Sequence, residues 1–350
     1  MKKLGAIIMA MMLTVGCAPT KEVGTEEVAQ TNQATEQTSE ESSNQLEVNE
    51  AIEEPFVLKH TQNLVDKGFA DITLDKMPES VVSMSTGPVL ALHEMGVNLV
   101  AVPSTKTMEY PEDLKAEVLP PAMSDDFDLE KIITLQPDLV IVPETSMEQH
   151  GKVLQDAGLN VYAVSLKGAQ GQSIYDFTKE QIALYVEAFG TNESAVAAGK
   201  AIMERFVALE AEMEEVAKKF EGKTFLGVTV VNDTDFYIQG PTSTIGSIME
   251  MLGFTNLYTQ EMGSTSTLNL ESIVGIETDL MLFTTQMKTA EEAEAIVNSA
   301  IAANPPVWNT IPAIERGDTV NLTSSYIVTA GTKIIDSIYA VIGLLEETLE

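Results

Sequence analysis

Side chains with catalytic or metal-binding chemistry are scarce in this sequence of 350 residues. Its three histidines, His60, His93 and His150, form no closely spaced pair with each other or with a glutamate, as a zinc motif requires. The sequence contains no Ser-His-Asp order with a nucleophile elbow and no phosphate-binding glycine loop. So acidic a chain has many carboxylates, but no pair stands out for acid–base work. We therefore predict a protein that is not an enzyme and holds no catalytic cofactor.

The single cysteine, Cys17, has a different setting. Two lysines precede an uncharged apolar run from Leu4 to Val15, which is typical of a signal peptide and too short to span a bilayer. Cys17 directly follows Gly16, which resembles the lipobox of bacterial lipoproteins, although Thr14 stands where that motif usually has leucine. The resemblance implies cleavage before Cys17 and diacylation of its thiol, since stable anchoring needs two or more acyl chains. The alternative is an ordinary signal peptide whose cleavage site contains a cysteine.

Charge and composition restrict the partners. With Cys17 acylated, no thiol is left for a disulfide or a cysteine-based metal site, so stability must come from a packed core. The formal net charge of -33 argues against nucleic acid or an anionic membrane surface as a partner, and also against a strongly anionic ligand. Residues 18–54 have scarcely an apolar side chain, which predicts a disordered acidic tether.

Beyond residue 54, short apolar runs alternate with helical patterns, as in an α/β architecture. Six apolar runs predict buried strands at residues 81–83, 99–102, 139–142, 161–164, 226–231 and 280–283. Helical patterns between them cover Pro88 to Met95, Leu129 to Leu135 and Ile245 to Leu252. The first and third are followed by Gly96 and Gly253, as is common at helix C-termini.

An internal repeat relates two parts of the chain with a shift of 141 residues. Residues 128–142 match residues 269–283 with five of the fifteen positions identical. A weaker similarity relates residues 92–97 to residues 249–254. In each copy an Asp or Asn cap opens a helix, the helix ends near an Asp, and a strand delivers its carboxyl end to a loop. We therefore predict two lobes of related design.

The two copies are separated by residues 172–220, which are helical by pattern. The first part, Ile174 to Phe189, keeps apolar residues at helical spacing and predicts a rigid connector, which would allow only small lobe motions. The resulting domain prediction is a signal peptide at 1–17, a tether at 18–54, an N-terminal lobe at 55–171, the helical connector and an adjoining helix at 172–220, and a C-terminal lobe at 221–350.

Together these features resemble the bacterial solute-binding proteins for haem, cobalamin and iron-siderophores, in which one long helix joins two α/β lobes. The resemblance runs from about Pro78 to Leu345. It is carried by Pro-Glu-Ser-Val-Val at 78–82, by the two Leu-Glu-x-Ile copies with their Pro-Asp-Leu and Thr-Asp-Leu ends, and by residues 308–320. It implies an α/β fold of two related lobes, each a mainly parallel sheet flanked by helices, joined by one long rigid helix.

The resemblance also implies a function. It predicts a monomer, held at the extracytoplasmic side of the cell membrane by its lipid anchor, that delivers a ligand to the permease and ATPase of an ABC importer. In the family, the glutamate of each Leu-Glu helix faces the permease and pairs with arginine there, which assigns docking to Glu130 and Glu271. The alternative is that both are exposed carboxylates favoured by the helix dipole. Their identical placement in both copies favours docking.

Within this family the sequence is most similar to haem-receptor lipoproteins of Gram-positive bacteria. Residues 121–126 stand where those proteins have a Pro-x-Met loop, which implies that the soft, neutral sulfur of Met123 binds haem iron. The second ligand in that subgroup is a histidine, but Gln286 stands at the matching place and no histidine lies near it in the sequence. Met287 could supply a second thioether; otherwise the pocket holds a different ligand. The alternative for each methionine is packing against its own lobe.

Haem propionates would need donors or cations at the rim of the site, and loop positions nominate Lys106, Tyr110, Lys288 and Tyr326. Lys106 and Tyr326 are preferred, because each follows shortly after a predicted strand or apolar run.

Three functions stay open on this reasoning. The first is capture and delivery of haem to an importer. The second is the same role with an iron-siderophore or cobalamin. The missing histidine favours it, whereas the few basic residues and the 6% aromatic content with one tryptophan count against a siderophore and cobalamin respectively. The third is an envelope hydrolase or sensor domain on the same scaffold.

Overall fold

The computed structural model describes residues 55–105, 108–122, 124, 126–259, 265–287, 289–327 and 331–349. These residues belong to one compact unit, residues 52–350. Four of the predicted functional residues, Cys17, Lys106, Met123 and Lys288, lie outside the described residues, as do the predicted signal peptide and tether.

The N-terminal lobe is built around short apolar strands. Its strands are β1 (Phe56–Leu58), β2 (Ile72–Leu74), β3 (Val81–Ser83), β4 (Leu99–Pro103), β5 (Glu117–Leu119), β6 (Leu139–Pro143) and β7 (Val161–Val164). Five of them form a parallel sheet in the order β5-β4-β3-β6-β7, while β1 and β2 form an antiparallel pair. The helices of this lobe are α1 (Gln62–Val65), α2 (Val89–Glu94), α3 (Leu129–Leu135) and α4 (Lys152–Asp156).

Two helices follow the N-terminal lobe, α5 (Ile174–Phe189) and α6 (Glu193–Phe220). The strands of the C-terminal lobe are β8 (Thr224–Val230), β9 (Phe236–Gln239), β10 (Thr255–Asn256), β11 (Thr265–Thr267), β12 (Leu280–Thr285) and β13 (Thr319–Leu322). They run in the order β11-β9-β8-β12-β13 with β10 beside β8; β8, β12 and β13 are parallel, and β9 and β11 are antiparallel to their neighbours. The helices are α7 (Thr244–Met251), α8 (Ala290–Ala303), α9 (Pro305–Trp308), α10 (Pro312–Arg316), α11 (Ser324–Ile327) and α12 (Lys333–Leu349).

The six predicted strands are all present, and the prediction of two α/β lobes joined by one long helix is confirmed. The long helix is α6, whose 28 residues extend over about 42 Å. The pattern at Ile174 to Phe189 gives a separate helix, because α5 ends at Gly190 and the side chain of Asn192 caps α6 by accepting from the amide of Ala195 at 2.9 Å.

Helix α6 contacts both lobes through packing and ion pairs. Its Arg205 binds Glu94 of α2 in the N-terminal lobe at 2.5 Å. Fourteen residues further on, Lys219 binds Glu346 of α12 in the C-terminal lobe at 2.9 Å. On the same side, one continuous cluster of buried apolar side chains includes residues of α2, α5, α6, α7 and α12 together with strands of both sheets. The opposite face of each sheet has its own cluster, one per lobe.

The internal repeat has a structural counterpart at the amino edge of each sheet. In the N-terminal lobe, Asp138 accepts hydrogen bonds from the amide and hydroxyl of Ser80 and from the amide of Glu79, each at 2.9 Å. In the C-terminal lobe, Asp279 accepts from the amide of Thr224 at 2.7 Å and from its hydroxyl at 2.8 Å. These two clasps fasten β6 to β3 and β12 to β8, and they explain why an aspartate precedes the strand in both copies.

The helices predicted at the start of the two copies are both present, but they differ in type. The second copy does not open with an α-helix but with a single 3-10 turn at Leu270–Ile273. The reason is Gly275, which takes the place of Thr134 in the first copy and adopts a left-handed φ of 68°. Only glycine reaches that region without strain, and the chain turns away before a helix can continue.

Candidate functional site

The loops best placed to bind a ligand leave the carboxyl edges of the two sheets. In α/β sheets, ligands bind where neighbouring strands send their connections to opposite sides. In the N-terminal lobe this point lies between β3, which leads to β4 on one side, and β6, which leads to β7 on the other. In the C-terminal lobe it lies between β8 and β12 by the same criterion.

Segments that follow the carboxyl edges of the two sheets approach each other. Gly87, in the loop after β3, is in backbone contact with Gly331, in the segment between β13 and α12. Within the C-terminal lobe, the amide of Ser324 donates to the carbonyl oxygen of Met287 at 2.9 Å, which fixes the loops after β12 and β13 to each other. We call the space bounded by the carboxyl-edge loops of both lobes the cleft.

The strand ends that border the cleft are rich in hydroxyl groups and poor in charge. The serines and threonines in the last strand position or shortly after it include Ser83, Ser85, Thr86, Ser104, Thr105, Thr145, Ser146 and Ser165 in the N-terminal lobe and Thr285, Thr323, Ser324 and Ser325 in the C-terminal lobe. The two arginines of the chain lie elsewhere: Arg205 is on α6, and Arg316 donates to Asp318 at 2.5 Å at the amino end of β13. These loops therefore offer neutral hydrogen bonds and no arginine.

The first carboxylate after β6, Glu144, is held by the N-terminal segment of the lobe. Its side chain is 11% exposed and binds Lys67, next to α1, at 2.6 Å, while the hydroxyl of Ser165 donates to it at 3.2 Å. The side-chain amide of Asn63 donates in turn to the Ser165 hydroxyl at 3.1 Å. Because Lys67 balances its charge, Glu144 does not repel an electron-rich ligand. Glu144 was not among the residues predicted from the sequence, although its position directly after a buried strand was a usable signal.

Tyr110, one of the residues predicted from the sequence to lie at the rim of the site, already has a hydrogen-bond partner within its own lobe. Its hydroxyl donates to the carbonyl oxygen of Pro103 at 2.6 Å, and burial raises its pKa to about 12. The ring packs against the core cluster that both lobes share. Through these contacts, Tyr110 fixes the loop after β4.

Three predicted residues meet at the carboxyl edge of the C-terminal lobe. Gln286 is exposed, Met287 is half-buried, and both directly follow β12. Met287 also donates its amide to the hydroxyl of Thr285 at 3.3 Å, so its main chain is held through both the amide and the carbonyl group. Tyr326 is half-buried on α11 and packs against the shared core cluster. The loops after β12 and β13 therefore bring a thioether, an amide and a phenol to one edge of the sheet.

On the N-terminal side, described residues before and after Met123 are joined by backbone hydrogen bonds. The amide of Ser124 donates to the carbonyl oxygen of Pro121 at 2.9 Å, and the amide of Phe127 donates to that of Ser124 at 3.1 Å. The Phe127 ring lies against the imidazole of His150, with ring centroids 4.5 Å apart. His150 is buried in a π-helical turn, and its Nδ1 has no partner among the described residues. Nothing in the local sequence around His150 indicates that Phe127 is its neighbour.

Glu130 and Glu271 are both exposed at the start of their segments. Asp128 caps α3 by accepting from the amide of Lys131 at 2.9 Å, and Asn269 accepts from the amide of Glu271 at 3.1 Å. Behind each glutamate an isoleucine is buried in the core of its lobe, Ile132 or Ile273. Both carboxylates are thus presented outward on anchored turns.

The described residues show neither a membrane-spanning helix nor a metal-binding cluster. None of the described helices combines the length and the apolar character that crossing a membrane requires. Likewise, no group of three or more His, Cys, Asp or Glu side chains in the described part of the chain is arranged to hold a metal ion.

Comparisons with known proteins add the following. The chain matches the family model described as periplasmic binding protein over residues 81–326. A Bacillus subtilis protein described as an uncharacterized ABC transporter substrate-binding lipoprotein is 23% identical over 278 residues, which is 78% of this chain and 82% of the relative. A cobalamin-binding protein of Halobacterium salinarum is 24% identical over 269 residues, 76% of this chain and 69% of the relative. The crystal structure of Staphylococcus aureus IsdE complexed with haem has a TM-score of 0.59 at 15% identity, covering 76% of this chain and 98% of that one.

Proposed function

Because this chain belongs to the periplasmic binding protein family, in which its relatives are substrate-binding proteins of ABC transporters, we propose that it captures haem between its two lobes and delivers it to an importer. The family confirms the prediction that the chain is a substrate-binding protein and not an enzyme. The identity of the substrate is the part that we propose.

The position of Met287 is the observation that supports haem as the substrate. Its thioether follows β12 at the point where the C-terminal sheet is open to ligands, and its backbone is held by Thr285 and Ser324. A neutral sulfur on a fixed main chain is a suitable axial ligand for haem iron. Met123 would approach from the N-terminal lobe, while Gln286, Lys106 and Tyr326 would contact the porphyrin or its propionates. The haem complex of the S. aureus neighbour supports this choice.

Cobalamin is the second candidate, and a different observation favours it. The hydroxyl-rich loops at the cleft match the uncharged amide groups around a corrin ring, and no histidine of the sequence follows β12. The H. salinarum relative is named a cobalamin-binding protein. An anionic siderophore is less suited, because both arginines are engaged outside the cleft.

We further propose how the protein is held and docked. Cys17 would carry the lipid anchor at the extracytoplasmic face, which agrees with the lipoprotein name of the B. subtilis relative. Glu130 and Glu271 would pair with arginines of the permease, one from each lobe. Their exposure on capped, anchored turns supports this role.

The experiment is an absorbance titration of the chain from residue 18 onward with ferric and ferrous haem, and with cyanocobalamin in parallel. Haem binding predicts a saturable shift of the Soret band. The Met287→Ala and Met123→Ala variants should each weaken binding by at least about tenfold, because each removes an iron ligand.

The matched control is Met251→Ala, which shortens a partly buried methionine on α7 that packs in the shared core. It should leave haem affinity unchanged. Saturable cyanocobalamin binding without a Soret shift would replace haem by cobalamin. Equal haem affinity in the Met251, Met123 and Met287 variants would reject thioether ligation.

A further inference from the structure

The contact between Gly87 and Gly331 is unusually close. An ideal Cβ atom on Gly331 would lie 2.0 Å from the carbonyl oxygen of Gly87, 3.0 Å from its carbonyl carbon and 3.6 Å from its Cα. These are backbone atoms, which cannot swing aside as the end of a flexible side chain can. Any residue other than glycine at 331 would therefore have to push the two segments apart.

Each glycine belongs to a different lobe and stands just before a helix. Gly87 precedes α2, whose Glu94 binds Arg205 of α6. Gly331 precedes α12, whose Glu346 binds Lys219 of the same helix. The two helices thus rest on α6 at separate points and approach each other at their amino ends, at the cleft. Helix α6 and the glycine contact are two separate connections between the lobes.

The two connections differ in stiffness. Helix α6 is fixed to both lobes by a continuous apolar core and by ion pairs, so it sets the distance between the lobes along its own length. The glycine contact lies beside the loops at the carboxyl edges, where the backbone of one lobe meets the backbone of the other. Restoring an ordinary contact of about 3.5 Å around an added methyl group requires a displacement of about 1.5 Å there.

We propose that Gly331 is a positioning residue that sets the width of the cleft, by allowing the backbone of the C-terminal lobe to rest on the carbonyl oxygen of Gly87. The effect on ligand affinity rests on the function proposed above, whereas the effect on lobe separation does not. A ligand spanning both lobes is sensitive to this width, because contacts misplaced by about 1 Å lose much of their strength.

The test compares Gly331→Ala with two matched variants. Gly331 has a left-handed φ of 57°, and Gly317→Ala also places a side chain at a left-handed φ, 83°, but its Cβ would have no atom within 4 Å. Gly87→Ala places a methyl group on the other side of the contact, 3.5 Å from the Gln181 side chain and without a backbone clash. The first control isolates backbone strain, and the second isolates added volume.

The readout is a spin-label distance between the lobes in the chain from residue 18 onward, measured without ligand. Labels go on Glu148→Cys and Glu291→Cys, both exposed, near the carboxyl edges of the N-terminal and C-terminal sheets respectively. Removal of Cys17 leaves no other thiol in the chain. We expect Gly331→Ala to lengthen this distance and to weaken haemin binding by at least about tenfold. We expect Gly317→Ala and Gly87→Ala to do neither.

A second variant separates positioning from folding. Gly331→Asn places the same Cβ, but asparagine tolerates a left-handed backbone better than alanine does. An unchanged distance in a folded Gly331→Ala or Gly331→Asn protein overturns the proposal. Loss of folding in both, with Gly317→Ala folded, also overturns it, since Gly331 would then serve only the fold. If Gly331→Ala lengthens the distance but the unmodified chain does not bind haemin, the result supports the proposal and rejects haem as the substrate.

Discussion

In the N-terminal lobe the repeated segment begins with the α-helix α3, whereas in the C-terminal lobe it begins with a 3-10 turn at Leu270–Ile273. Both copies keep a side-chain cap, a buried isoleucine and an aspartate clasp. The retained features are those that fix the segment to its sheet. The two lobes therefore attach the segment to the sheet in the same way, but they differ in the surface that the segment exposes.

The difference continues at the carboxyl ends of the equivalent strands. β6 ends at Pro143 and is followed by Glu144, which Lys67 neutralises. β12 ends at Thr285 and is followed by Gln286 and Met287, which carry no charge. The N-terminal lobe therefore has the Lys67–Glu144 ion pair after its strand, whereas the C-terminal lobe has the thioether of Met287. The comparison indicates that the repeat sets the positions of these loops and leaves their chemistry free to differ.

The largest expected effect comes from breaking the two clasps. Asp138→Ala removes three hydrogen bonds and should lower the free energy of unfolding by about 3 kcal/mol, whereas Asp279→Ala removes two and should cost about 2 kcal/mol. Urea unfolding measures both. The control Glu148→Ala, at an almost fully exposed side chain, should cost less than about 0.5 kcal/mol. Losses no larger than the control's would show that the clasps do not stabilise the lobes.

The C-terminal clasp also predicts a pH dependence. The amide of Thr224 holds the pKa of the Asp279 carboxyl below its ordinary value. A carboxylate with a depressed pKa stabilises the fold above its unfolded pKa of about 4, and this contribution is lost as the pH falls through the folded pKa. Asp279→Asn should therefore lose less stability than the unmodified chain between about pH 4 and pH 2. Parallel curves for the two proteins would contradict this.

A smaller difference is expected between Glu130 and Glu271, the two glutamates that we propose dock to the permease. Glu130 is in the first turn of a capped α-helix, whereas Glu271 is on a 3-10 turn beside the exposed Val274, which adds apolar contact area. We expect Glu130→Ala to weaken binding to the permease by about tenfold and Glu271→Ala by somewhat less, with both effects shrinking at high salt. Surface plasmon resonance with the permease in detergent measures this, and affinities equal to that of Glu148→Ala would reject docking.

The smallest expected effect concerns His60, which lies in the N-terminal lobe; the C-terminal lobe has no histidine. His60 lies between β1 and β2, stacked on Tyr162 at 4.3 Å. Its ring nitrogens have no hydrogen-bond partner among the described residues, although Nδ1 lies 3.9 Å from a carboxylate oxygen of Asp71. Burial lowers the pKa of His60. Because the unfolded chain takes up the proton first, stability should fall as the pH drops below about 6.5, no more steeply than about 1.4 kcal/mol per pH unit.

His60→Phe should abolish this slope, because phenylalanine keeps the stacking and does not titrate. Urea unfolding at intervals between pH 7 and pH 5 measures it. A slope that persists in the variant would assign the proton uptake to another group.

Much of the fold could be predicted from the sequence, because strongly periodic apolar runs determine their own secondary structure. All six predicted strands were found, and the repeat at 128–142 and 269–283 located both lobes. The 3-10 turn was missed because it depends on one glycine, Gly275, whose backbone conformation is not visible in a hydrophobic pattern. Short strands such as β5 and β10 were missed because their residues do not alternate strongly.

The site was predictable only in part. Gln286, Met287 and Tyr326 could be placed because they follow apolar runs, and the structure brings them to one edge. The Lys67–Glu144 pair joins residues 77 positions apart, and the Gly87–Gly331 contact joins the two lobes, so no local pattern indicates either of them. Contacts of this kind arise from packing the lobes together, which sequence periodicity does not encode.

The apolar cluster that runs through α2, α5, α6, α7 and α12 has a thermodynamic consequence. Because both lobes share these side chains, neither can melt without exposing the core of the other, and calorimetry should record a single cooperative transition. A ligand bound at the cleft would then protect slowly exchanging amides in both lobes, including those at the distant clasps. A bound ligand would raise a single melting temperature, and probes in either lobe would record the same increase.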